Sequence, residues 1–399
     1  MLKYEKKSVD WLIEKKNIIF FVFISAFSIF IRLFGLKHIS FDMEYYLIPW
    51  FEEIMSLGKI KALSAQVGNY NIIYQTIIAL ITYLPVSPVY SYKFISIFFD
   101  FLLAFSSALL VVRIIEPGDK IFSLKFNIVY SIVLCIPTII LNSSIWGQCD
   151  SIYTCMVILA LLFLFEKKYV KAFLLLGLGF AFKLQTVFIL PFFIAIYLYR
   201  RDFSFIFFLF SIFIFWLTGL PGFIQGRSIS APFEIYLSQA YEMPGMWFGY
   251  PSFWMIIGDD YTFLGKIAVL FVVILCGLAF YCIISNIKNV DSAESFLNTA
   301  AWFVWTCVLF LPKMRDRYSY MLDVILILLT FINYKYIYFS SGALLLSMIS
   351  YGKALYVNPQ YLPKSAAVTN LILYILFSVY IIKKETNKNF GEVFLTLKI

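Results

Sequence analysis

Apolar residues along this chain come in blocks long enough to cross a bilayer, with polar residues gathered at the block ends and few inside. Blocks lie near residues 17–36, 88–112, 126–143, 150–166, 171–184, 186–200, 203–222, 263–284, 296–312, 318–333, 336–350 and 366–383. A hydrocarbon core admits only backbone that satisfies its own hydrogen bonds, so each block predicts a helix. The pattern therefore predicts an all-α polytopic membrane protein of about 12 transmembrane helices, a single domain over 1–399 with its core at 18–350. Several blocks fall short of a full crossing, and the pair around Lys183 reads as broken or tilted. The apolar segment Tyr70 to Pro85 reads as a juxtamembrane helix, because counting it as a span would invert every later loop. The first block, Asn17 to Gly35, lacks the flanks of a signal peptide and reads as a retained span.

Composition agrees: 62% of the 399 residues are hydrophobic, 20% aromatic and 14% charged, with a mean hydropathy of +0.87. The formal charge of +9 follows topology, not nucleic acid, since its cations sit mostly in short loops and tails. With both termini cytoplasmic (tails 1–16 and 384–399), 19 of the 32 Lys and Arg fall on the inner side, the direction of the positive-inside rule. Two long loops, 36–85 and 221–262, are then outer. Each holds an amphipathic stretch, Tyr45 to Leu57 and Phe233 to Tyr241, suited to lie at the interface. The six cysteines lack metal or disulfide spacing, and His38 is the sole histidine. There is no phosphate-cradling glycine loop, so no nucleotide site is expected.

The polar clusters at the outer ends carry the candidate chemistry. In SFDMEYYLIPWFEEI, Asp42 at the membrane edge is placed to act as a general base; the plainer reading is a solvated acid beside an aromatic belt. Glu44 is its rival, facing elsewhere if the segment is helical. In LNSSIWGQCDSIY, Asp150 is by default a helix N-cap, yet Asn142, Trp146 and Gln148 crowd the same edge in a manner that suits a sugar. Lys183, in GFAFKLQ, either snorkels or neutralises a lipid phosphate. Arg227 stands in the second outer loop, followed by Tyr236 and Gln239. In LPKMRDRYSY, Lys313, Arg315 and Arg317 run against the positive-inside bias beside Asp316 and Tyr318, so they answer to an anion or to headgroups. Asp100 and Asp323 are intramembrane acids, functional by default, with a structural hydrogen bond the equal alternative.

The order SFD…YLIPWF, KALSAQVGNYNIIYQ, SIWGQCDSIY, FKLQ, GRS…IYLSQ and PKMRDRY resembles the bacterial relatives of the second mannosyltransferase of GPI-anchor synthesis, in the C-type (GT-C) superfamily of integral-membrane glycosyltransferases. The likeness runs from about residue 18 to 330. It implies an inverting transferase that moves a monosaccharide from a polyprenyl-phosphate sugar to a cell-surface glycan or lipid-linked acceptor, on the outer face of a bacterial cytoplasmic membrane. The family's first-loop aspartate maps onto Asp42 and its WGQ-x-D aspartate onto Asp150. The Met-His-Glu-Arg-Tyr pattern reads here as Met314-Arg315-Asp316-Arg317-Tyr318, without the histidine. In this reading Asp42 is catalytic, while Asn69, Gln148, Asp150, Lys183, Arg227, Arg315, Arg317 and Tyr318 bind substrate. No cofactor is firmly predicted, although the two carboxylates leave a divalent cation open. The rival classes are a polysaccharide polymerase and a transporter or flippase of lipid-linked saccharides. Against the transporter stands the expected lack of an inner polar cluster matching the outer one.

Overall fold

Each apolar block becomes helix, and the polar or proline-bearing ends become the breaks. The structure is a computed structural model describing residues 3–115, 118, 121–241, 244–286, 290–357 and 362–386. Lys120, Lys288 and most of the C-terminal tail (387–399), which entered the charge count, lie outside the described residues. The helices are α1 (Lys3–Leu33), α2 (Ile48–Ser56), α3 (Ile72–Ile81), α4 (Pro88–Ile115), α5 (Leu124–Leu134), α6 (Pro137–Ile140), α7 (Asp150–Phe165), α8 (Tyr169–Phe182), α9 (Leu190–Arg200), α10 (Ile206–Leu217), α11 (Leu220–Ile224), α12 (Ala231–Tyr241), α13 (Trp254–Ile257), α14 (Tyr261–Asn286), α15 (Ala293–Phe310), α16 (Tyr320–Ile332), α17 (Ile337–Tyr356) and α18 (Lys364–Thr386). Two-residue strands β1 (Trp247–Phe248) and β2 (Met314–Arg315) pair in parallel, Trp247 opposite Met314.

Four helices, starting at Tyr4, Pro88, Tyr261 and Lys364, are long and apolar enough to cross a membrane, and α5 with the segment Pro137–Trp146 makes a fifth if its 56° bend lies within one span. The chain is therefore an all-α membrane protein. All twelve predicted blocks coincide with helices, but about half of those helices are too short to cross singly. Pro137 and Lys183 show why: the first cannot donate to the preceding turn, and the second is extended, with φ −151° and ψ 135°. α3 has ten residues, about 15 Å of rise, half a hydrocarbon core.

Packing forms two groups. α4 lies against α5 and α7, α7 against α8, and α8 against α10; α15 to α18 form the second group, and α16 joins them by touching α4, α5 and α7. α1 and α14 stand at the periphery, where Phe23, Phe30, Phe263 and Leu270 are exposed, as lipid-facing side chains are. Chain order puts the ends of α1, α8, α15 and α17 at the same pole as the starts of α7 and α16. That pole holds the candidate site.

The opposite pole is not apolar. Glu385 accepts from Ser295 Oγ (2.9 Å) and Asn298 Nδ2 (2.9 Å), and Glu294 pairs with Lys384 and accepts from Asn333 Nδ2 at 2.8 Å. The expectation of no second polar cluster is thus not met. Paired groups of this kind tie the ends of α15, α16 and α18, which periodicity alone cannot reveal.

Candidate active site

The site begins where α1 ends. Ser40 donates its hydroxyl to the carbonyl of Trp146 at 3.0 Å, which draws the following turn onto the bent segment from α6. Residues Met43–Leu47 then form a π-helical turn, and a second π-helical turn spans Leu141–Trp146. Wide turns of this kind re-aim side chains and gather at functional sites. Here they face one another: Asp42 Oδ2 accepts from Trp146 Nε1 at 3.0 Å and from Gln148 Nε2 at 2.8 Å. Both hydrogen bonds fall on one carboxylate oxygen. Glu44, exposed on the same turn, has neither of these partners.

Gly147 makes the second turn fit. Its φ is +77°, open chiefly to glycine, and an added Cβ would collide with Met43 Cε. Beyond it, Gln148 Oε1 accepts from the Tyr70 hydroxyl at 3.0 Å, and α7 opens with Asp150. The N-cap reading of Asp150 fails, because the cap residue is Cys149 and no side chain caps this end. The Asp150 carboxylate instead accepts from Asn142 Nδ2 at 2.8 Å and forms an ion pair with Lys183. Asn142 also reaches the Tyr351 hydroxyl at 3.1 Å.

Arg317 completes the arrangement. Its guanidinium lies 3.5 Å from Asp42, 3.6 Å from Asp150 and 3.5 Å from Asp316, and 5.1 Å from the Trp146 ring centre. Only 9% exposed, it turns Nε toward Asp150 Oδ2 as an ion pair at 3.6 Å, longer than a hydrogen bond. Burial opposes its charge, but the three carboxylates outweigh burial and hold Arg317 protonated well above its ordinary value. Burial pushes the Asp316 carboxyl up to about 6, against the pull of Arg317. The turn is fixed from the second long loop: Lys313 N donates to Met246 O (2.9 Å) and Asp316 N to Phe248 O (3.0 Å).

A cavity of about 110 Å³ opens on this cluster, and Lys183, Lys313, Arg315 and Arg317 line it with Asn69, Tyr236 and Tyr318. Eight of the nine expected site residues thus converge: Asn69, Lys183, Arg315, Arg317 and Tyr318 on the cavity wall, and Asp42, Gln148 and Asp150 immediately behind Arg317. Arg227 does not join them. It donates to Gln75 Oε1 at 3.2 Å and to Gln66 Oε1, tying the two long loops together. Sequence reasoning missed Tyr70, Gln185, Phe248 and Tyr351. Gln185 had a signal in its nearness to Lys183; Tyr351, closing an apolar helix 209 residues from its partner Asn142, had none.

The cluster is able to hold an anion and to take up a proton. Among the described residues no group of three or more His, Cys, Asp or Glu side chains is placed to hold a metal ion; the carboxylates here face Arg317 and Lys183. Compared with protein-family models, curated proteins and solved structures, the chain matches none.

Proposed function

We propose that this chain is an inverting glycosyltransferase that moves a monosaccharide from a polyprenyl-phosphate donor to a glycan or lipid-linked acceptor at the membrane surface. The observation that carries the reading is a carboxylate held on one oxygen by Trp146 and Gln148, beside a cavity lined by four cations. A base and an anion site side by side are what such a transfer requires. The acceptor hydroxyl gives its proton to Asp42, most simply at Oδ1, since Oδ2 already takes two donors. The acceptor oxygen then bonds to the anomeric carbon as the bond from that carbon to the phosphate oxygen breaks. The leaving lipid phosphate keeps the electron pair. Arg317, Arg315 and Lys183 are the groups to stabilise that growing charge. Gln148, Asn69 and Asp150 supply hydroxyl-binding groups.

In the finer reading, the chain crosses the membrane twelve times, with both termini on the side opposite the cavity. The polar cluster between α15, α16 and α18 weakens the objection to a transporter, and sugar transfer without movement of lipid-linked saccharide across vesicles separates the two readings. Purified protein in lipid is expected to transfer sugar from a polyprenyl-phosphate sugar and to ignore nucleotide sugars. Preference for the nucleotide sugar, or movement of lipid-linked saccharide across vesicles without transfer, would remove the proposal.

A further inference from the structure

One face of α4 carries Lys93, Ser96 and Asp100, all 0% exposed, at the spacing that lines up a single stripe on a helix. Each holds a different segment of the site. Lys93 Nζ donates to the carbonyls of Gly35 (2.8 Å), Leu36 (3.2 Å) and His38 (2.5 Å). These carbonyls belong to the turn that follows α1, and an ammonium with three hydrogens matches three such acceptors. Four residues after His38 comes Asp42.

The Ser96 carbonyl accepts from Ser151 Oγ at 3.1 Å, fixing the residue after Asp150. Asp100 Oδ2 accepts from Ser143 Oγ at 2.5 Å, inside the second π-helical turn, and from Arg32 Nε at 3.0 Å. Arg32 also donates to Leu134 O at 3.2 Å, the last carbonyl of α5 before the 56° bend. One stripe therefore grips the segments that deliver Asp42, Gln148 and Asp150.

Stability alone does not call for charge here, because replacing a buried ion pair with apolar side chains of similar volume is often neutral. What hydrogen-bonded charges add is direction. We propose that the Lys93–Ser96–Asp100 stripe is the jig on which the site is assembled, and that Lys93 and Asp100 are positioning residues for the transfer. The inference rests on the transferase reading for its kinetic consequence, though not for its structural one.

Its test uses the full-length protein in lipid nanodiscs, comparing wild type, Lys93→Met, the double replacement Arg32→Met with Asp100→Leu, and Lys353→Ala as control. Two readouts are taken: steady-state transfer from a polyprenyl-phosphate sugar, and amide hydrogen exchange by mass spectrometry. In Lys93→Met, exchange should quicken over residues 34–47 while the rest of the bundle keeps its protection. In the double variant the quickening should fall on 134–148. In both, kcat should drop on the order of 10-fold or more with the donor KM within about twofold, as for a misplaced catalytic group. Lys353→Ala should change neither readout. Unchanged kcat alongside local quickening would reduce the stripe to a structural prop, and protection at 34–47 unaltered by Lys93→Met would overturn the jig itself. If wild type shows no transfer at all, the transferase reading falls, while the exchange pattern still decides the structural claim. Should Lys93→Met fail to fold, the charge-matched double variant carries the same two readouts.

Discussion

Asp42 shows why the identity of a residue is only half of its chemistry. In the sequence it is one acid among several in an exposed aromatic segment; in the structure it is the one whose Oδ2 takes hydrogen bonds from both Trp146 and Gln148. Asp42→Asn can keep a carbonyl oxygen in that position, so orientation survives while basicity is lost. Transfer should then fall about 10²-fold or more; turnover near wild type in the purified variant would send the proton elsewhere. Asp316 gives a separate handle. Its carboxyl is raised to about 6, so between its ordinary value near 4 and pH 6 the folded protein binds a proton that the unfolded chain does not. More protons in the folded state mean that this group makes stability fall as pH rises through that window. Asp316→Asn should flatten that part of the pH profile, as read from thermal midpoints between pH 4 and 7. An identical slope in both proteins would place the titration on another group.

At the scale of elements, helices were legible in the apolar blocks and their interruptions were not. Pro137 announces a break, but nothing in the residues Leu141 to Trp146 or Met43 to Leu47 announces a π-helical turn, since that geometry depends on what each turn must reach. Gly147 is the joint between the second turn and α7. Replacing it with Ala places a Cβ at a positive φ and against Met43 Cε, a change expected to cost roughly 1–3 kcal/mol. Met43→Ala opens a cavity of its own, since Met43 is fully buried, so the cost of Gly147→Ala is compared in wild type and in Met43→Ala: the difference is the steric part and the remainder the backbone part. Thermal unfolding of both singles and the double gives these values, and a Gly147→Ala protein as stable as wild type would mean the turn relaxes freely.

Across the whole molecule, the meeting of Asp42, Asp150, Lys183 and Arg317 at one pole follows from the alternation of helices, and it gives the topology a direct check. In a background without native cysteines, Gln66→Cys and Ser228→Cys, both exposed near the cavity pole, should react with an impermeant thiol reagent added from the cavity side. Lys335→Cys, exposed just before α17, should react only from the other side. Equal labelling of position 335 and position 228 from one side would break the twelve-crossing arrangement.

What the sequence by itself determined is the class of molecule and the helix ends at which most of its charges gather. Hydrophobicity dictates where helix must form, and most charges gather at the ends of apolar runs because burying them unpaired is costly; Lys93, Asp100 and Asp323 are buried exceptions. Eight expected site residues meet for that reason. Only the tertiary structure decided which of them touch. Arg227 went to Gln66 and Gln75, Asp150 was released from capping to pair with Lys183, and Tyr351 joined Asn142 from a distant helix. A side chain's partner depends on where other segments bend and end, and those breaks are held by buried groups such as Lys93, whose hydrogen bonds run to backbone carbonyls of any residue type, and Arg32, which joins Asp100 to the carbonyl of Leu134. Such contacts leave no pattern of residue types along the chain, so they become visible only once it has folded.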